Sequence, residues 1–347
     1  MSLIKKLKWP RIIIILVSFG VFHFTQASTI LQSDLNQNGI SDSSETDVVV
    51  QENMVLSAGE YNFNNLIITN NATLTLISDP DSGDVFKGVK ITAVNLNINS
   101  GSSISADQKG YGSNQGPGLS LIISIGASYG GLSSSITTST YGSATKPTDL
   151  GSGGATFGGG AIRIVVSGAF INDGIVSADG GQSSSGGSIY VTTNNMTGGG
   201  ILRANGGGLY QSGYFKSPGG GGRVALYYQT SSFDGIIEAK GGYGSYDGYH
   251  FTYAQNGTVG IFDELHNNLY VNTSWQFRKN DSPFVLNNIF ILSGAKAISE
   301  SGVNITANNL LIDNNSLFTL ADNQILNIPT ITIDRNSTLT LSGNETI

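Results

Sequence analysis

The 347-residue chain contains no cysteine, so neither a disulfide framework nor a thiolate metal or redox site can organise it. Charge is scarce too: Asp, Glu, Lys and Arg together make up 12% of the residues. Histidine occurs three times, and one of these, His23, falls in the apolar opening stretch, which leaves His250 and His266. There is no H-E-x-x-H pair to hold zinc and no G-x-x-x-x-G-K-[ST] loop to cradle a phosphate, so the many glycine pairs are not nucleotide sites.

Long apolar runs are also missing, apart from the opening. There Lys5, Lys6, Lys8 and Arg11 precede Ile12-Ile13-Ile14-Ile15-Leu16-Val17, and Thr25-Gln26-Ala27 offers small residues before Ser28. This order, basic then apolar then small, predicts a secretory signal peptide over 1–27. The apolar stretch is shorter than the ~20 residues of a spanning helix, and no membrane span is expected after cleavage. Losing that leader removes four of the 17 basic residues and none of the 24 acidic ones, which takes the net charge from −7 to −11. An acidic chain without a basic stripe is a poor partner for nucleic acid.

Residues 28–47 hold the run Asp34-Leu35-Asn36-Gln37-Asn38-Gly39-Ile40-Ser41-Asp42-Ser43-Ser44-Glu45. Oxygen-bearing side chains fall at positions 1, 3, 5, 9 and 12, and glycine at 6 supplies the bend that lets alternate residues wrap one Ca²⁺. The expected ligands are Asp34, Asn36, Asn38, the Ile40 carbonyl, Asp42 and Glu45, with a structural role; the plainer reading is a polar Asx-rich linker. The run resembles the calcium loops of dockerin and thrombospondin type-3 modules. It departs from an EF-hand in placing its aliphatic residue at position 7 and in lacking flanking helices.

What the sequence has in quantity is glycine, 47 residues of it, arranged around a repeat. A glycine leads into an alternating strand at Gly160-Ala161-Ile162-Arg163-Ile164, Gly187-Ser188-Ile189-Tyr190-Val191, Gly222-Arg223-Val224-Ala225-Leu226 and Gly257-Thr258-Val259-Gly260-Ile261. A second strand follows three of them and ends in a glycine pair: Ile175 to Gly181, Ile201 to Gly207 and Ile236 to Gly242. A unit with two short strands cannot bury an apolar face alone and must stack on its neighbours. The fold expected over 48–347 is therefore all-β, a right-handed parallel β-helix with same-direction strands at every turn. Stacking in register would place Ile162, Ile189, Val224 and Val259 in one interior ladder, and Ile164, Val191, Leu226 and Ile261 in the next. It would also set Arg203 beside Glu238, and align Asp179, Asn205 and Lys240 with no adjacent like charges.

Between two such units, 108–158 is rich in glycine and serine and is expected to be a long loop packed along the solenoid. The stretch from Ser105-Ala106-Asp107-Gln108-Lys109-Gly110-Tyr111-Gly112 through Gly151-Ser152-Gly153-Gly154 to Gly158-Gly159-Gly160-Ala161-Ile162-Arg163 resembles the glycine-rich repeat region of large bacterial secreted or cell-surface proteins. That resemblance covers roughly 105–262 and implies a parallel β-helix in an adhesin-like protein. Beyond Phe262 the strand rhythm continues with Asn-rich turns and stops at Ile347 in mid-pattern, as a fragment with further C-terminal domains would.

Two functional readings follow. Tyr210, Tyr214, Phe215, Tyr243, Tyr246, Tyr249, Phe251 and Tyr253 lie in glycine loops after equivalent strands and would collect on one side. They either fill space and hydrogen-bond the backbone or form a platform for sugar rings. The first reading is a secreted or cell-surface structural, adhesive module that binds glycans without catalysis. The alternative is a polysaccharide lyase or glycoside hydrolase using Asp179, Glu238 and Lys240 on an outer face.

Overall fold

The computed structural model describes residues 28–29, 47–119, 126–133, 139–208, 217–245 and 251–343. The leader, the Asp34–Glu45 loop and residues 344–347 lie outside them, as do Tyr210, Tyr214, Phe215, Tyr246 and Tyr249. Among the described residues the fold is all-β, apart from one short 3₁₀ turn at Lys279–Asp281, and no helix is long and apolar enough to cross a membrane.

Most strands belong to two sheets, and the chain alternates between them. An eleven-stranded sheet contains Val89–Ile98, Ala161–Asn172, Ser188–Thr197, Arg223–Ser231 and Thr258–Asp263; a seven-stranded sheet contains Ser103–Ser105, Ile175–Ser177, Ile201–Arg203 and Ile236–Glu238. Neighbours in both run parallel. Register follows the side-chain period of two, because a one-residue slip would turn every buried chain outward. Ile162 pairs with Ile189, Ile189 with Val224 and Val224 with Val259; Ile164, Val191, Leu226 and Ile261 form the adjacent column. Across the core stand Ile104, Val176, Leu202 and Ile237 from the other sheet. All but Ile237 and Ile261 are within 1% of complete burial, worth about 1.5–3 kcal/mol for each large aliphatic side chain.

The glycines that lead the strands form a column of their own. A Cβ built on Gly187 would stand 1.9 Å from the Gly160 carbonyl oxygen, one on Gly222 2.2 Å from that of Gly187, and one on Gly257 1.8 Å from that of Gly222. Only glycine lets the backbones approach this closely. The insertion joins the same stack through its main chain: Gly131 N–H donates to the Gly221 carbonyl and Gly220 N–H to that of Ala127, while Ser185 N–H reaches Ser152.

Within the eleven-stranded sheet, same-direction pairing fails at one place among the described residues. Thr258–Asp263 pairs antiparallel with Asn268–Val271, and the strands that follow, Asn288–Ile291, Asn309–Ile312 and Thr330–Ile333, then run parallel to one another in the reversed direction. The hairpin holds because the Asp263 carboxylate accepts the His266 backbone N–H at 3.0 Å and lies 2.7 Å from His266 Nδ1, while Asn267 adopts φ 53°. The core changes sides at the same point. Phe262, opposite Leu269, joins Val271, Trp275 and Ala225 in a second cluster, so residues that face away from the first core begin the next one. From here each repeat takes 20 or 21 residues, as the pairs Asn268–Asn288, Asn288–Asn309 and Asn309–Thr330 show, and it carries three short strands. Asn side chains mark the repeat: Asn288 Nδ2 donates to Asn268 Oδ1 and Asn309 Nδ2 to Asn288 Oδ1, both at 2.7 Å.

Candidate ligand-binding cleft

The residues considered for catalysis form a ladder across strand ends. Asp107 accepts the Asp179 N–H at 2.7 Å, Asp179 that of Asn205 at 2.7 Å, and Asn205 that of Lys240 at 2.7 Å, so each side-chain oxygen caps the next repeat. Arg203 does stand beside Glu238, and it pairs with Asp179 at 2.7 Å; Lys240 pairs with Glu238 at 2.6 Å. Asp179, Asn205 and Lys240 carry no adjacent like charges, as expected, but the row extends one step further, to Asp107 against Asp179. Burial, and then the charge of Asp107, push the Asp179 carboxyl up to about 6. Glu238 is held below the usual range: burial opposes ionisation, but Lys240 and Asn205 outweigh it. Asp179 caps the next repeat, while Glu238 accepts from Asn205 and pairs with Lys240.

A G-x-S-x-G spelling also occurs, at 126–130. Ser128 is fully buried within the glycine stack and accepts the Ser133 N–H at 2.8 Å, so it is not a nucleophile elbow.

Residues 139–150 of the insertion tie both halves of the molecule together. On the first half, the fully buried Arg223 donates to the Tyr141 carbonyl at 2.8 Å and to Thr258 Oγ1 at 3.0 Å, with its guanidinium over the Tyr129 ring; burial lowers its pKa to about 10. Tyr227 donates to the Thr145 carbonyl at 2.8 Å. On the second half, the Asp281 carboxylate accepts from Ser143 Oγ, Ala144 N–H at 2.8 Å and Thr145 Oγ1 at 3.0 Å. Arg278 donates to Thr140 at 2.9 Å and pairs with Glu300 at 3.0 Å.

Where this strap meets the glycine stack and the strands Ser274–Phe277 and Lys296–Ser299, a cleft of about 890 Å³ opens. That volume lies within the ~300–1,000 Å³ of small-molecule sites. Its floor includes Ser274, Gln276, Lys296 and Ile298, and Thr140 and Tyr253 stand on its walls. Tyr253 belongs to a two-stranded hairpin, Tyr243–Ser245 with Phe251–Tyr253, whose rings gather with centroids 4.6 Å (Tyr243–Tyr253) and 5.5 Å (Tyr243–Phe251) apart. Tyr243 and Phe251 are each 47% exposed and Tyr253 71%. Of the aromatic residues named from sequence, Tyr253 lines the cleft, with Tyr243 packed against it and Phe251 against Tyr243.

Sequence reasoning missed Trp275, Thr273 and Lys296. The available signal was Trp275 itself, the one tryptophan outside the leader. Trp275 Nε1 and Thr273 Oγ1 are buried without a hydrogen-bond partner, and both residues line the cleft. Among the described residues no three His, Asp or Glu side chains gather to hold a metal.

No family model, curated protein or solved structure matches the chain.

Proposed function

We propose that the chain is a secreted or cell-surface structural module, a right-handed parallel β-helix that binds glycans without transforming them. The reading rests on one observation: a cluster of three exposed aromatic rings, Tyr243, Phe251 and Tyr253, one of which, Tyr253, lines a cleft otherwise lined mainly by small and polar residues. Exposed rings on a rigid scaffold offer apolar area at low entropic cost, and pyranose C–H faces stack on them. The solenoid reading is supported by alternation of the chain between two facing parallel sheets. The hairpin at 263–268 is compatible with it. Strand direction and core side both invert there, and two inversions leave the hand of coiling unchanged.

Near the start, Asp34, Asn36, Asn38, the Ile40 carbonyl, Asp42 and Glu45 would bind one structural Ca²⁺, with the modest affinity suited to extracellular concentrations. Binding to a glycan array, with no new reducing ends or unsaturated products from the bound polysaccharides, tests the function. Loss of array binding in Tyr253→Ala is the expected result; product release that Asp179→Ala abolishes would replace this reading with the enzymatic one.

A further inference from the structure

The cleft is unevenly charged for so acidic a chain. Among the described residues, Lys296 is its one ionisable lining side chain besides Tyr253. It is exposed, and among the described residues no carboxylate lies within ion-pairing distance of it. Its outward-facing neighbours in register are Ser274 and Leu317, neither charged. Glu300 and Asp281 are engaged elsewhere: Glu300 holds Arg278, and Asp281 accepts the strap. Lys296 thus offers an unpaired ammonium to a cleft in which the exposed ring of Tyr253 also stands. Its complement is a ligand that brings acceptors and negative charge.

We propose that the cleft selects sugars carrying an anionic substituent, a uronate carboxylate or a sulfate ester, with that group on Lys296 and an adjoining ring on Tyr253. This rests on the glycan-binding reading above and narrows its ligand class. A carboxylate and a sulfate share the chemistry Lys296 recognises, but they differ in geometry and charge density.

The test uses the full chain with four trisaccharides in calorimetry: galacturonate, its methyl ester, a sulfated galactose trimer and the neutral galactose parent. Galacturonate or the sulfated trimer should bind roughly ten-fold more tightly than its uncharged counterpart, and the advantage should shrink with added salt. Whichever anionic trimer binds more tightly identifies the source of the charge. Lys296→Met, whose side chain is exposed and whose thermal melt should match the parent, should cut the preference to less than about two-fold while neutral binding persists. Equal affinity for charged and uncharged trimers, or a preference that survives Lys296→Met, overturns the anionic assignment and leaves glycan binding standing. If none of the four binds and the array is also blank, the broader reading falls with it.

Discussion

Replacing Gly222 by alanine puts one methyl group between two rungs of the stack. The new Cβ would sit 2.2 Å from the Gly187 oxygen and 2.7 Å from the Gly186 carbonyl carbon, and these atoms are backbone with no side chain to swing aside. Restoring a tolerable contact of 3.0 Å or more requires the rungs to part by about 1 Å against a strand spacing of about 4.8 Å. The bonds on either side of Gly222, Arg223 N–H to Gly187 at 2.9 Å and Thr258 N–H to Gly222 at 3.1 Å, would stretch or break. Overpacking costs about 1–3 kcal/mol and each lost hydrogen bond about 1 kcal/mol, so the expected destabilisation is about 3–5 kcal/mol. With a urea dependence of about 1–3 kcal/mol/M, the unfolding midpoint by far-UV circular dichroism should fall by about 1 M or more. Gly83→Ala is the control, because nothing lies within 4 Å of its Cβ; it should change stability by less than about 1 kcal/mol. If Gly222→Ala unfolds at the midpoint of Gly83→Ala, the close stacking of glycine backbones is refuted.

Three further outcomes are expected. The Asp179 carboxyl, raised to about 6 by burial and Asp107, binds a proton more tightly when folded than unfolded, so it favours the fold at low pH and loses that advantage as pH climbs from about 4 to 6. The loss is roughly 2–3 kcal/mol, and stability measured across that window should decline less steeply in Asp107→Asn. Asp281→Ala leaves Ala144 N–H and the Ser143 and Thr145 hydroxyls without their acceptor, at a cost of about 1.5–3 kcal/mol per bond to a charged group; amide exchange at 144 and 145 should accelerate while that at Ile189 does not. Calcium should bind the full chain with one site in calorimetry, and Asp34→Ala together with Asp42→Ala should abolish the heat; an unchanged isotherm would remove the metal from the 34–45 loop.

Much of the first half could be read from residue order, because strand periodicity is strict there. Ile162, Ile189, Val224 and Val259 recur at fixed distance from a glycine, and alternation leaves one register that buries them all. The cleft was far less legible. Tyr243 stood out as an aromatic in a glycine loop, but Trp275, Thr273 and Lys296 belong to strands whose pattern differs little from their neighbours'. What sets them apart is the strap opposite, which lies more than a hundred residues earlier in the chain.

By itself, the sequence determined the strands, their mutual register and the glycine stack, since each of these follows from a local alternation or from the room that a missing Cβ leaves. Tertiary structure alone decided the reversal at 263–268 and the exchange of core faces. Ala225, Phe262 and Tyr227 alternate as outward residues, and Asp263-Glu264-Leu265-His266-Asn267-Asn268 lacks the Asn-Gly or Asp-Gly pair that marks a tight hairpin. An outward face stays outward only if nothing covers it, and what covers these residues is the strap, 82 residues before Tyr227 at Thr145, and the ring of Trp275 beyond the hairpin.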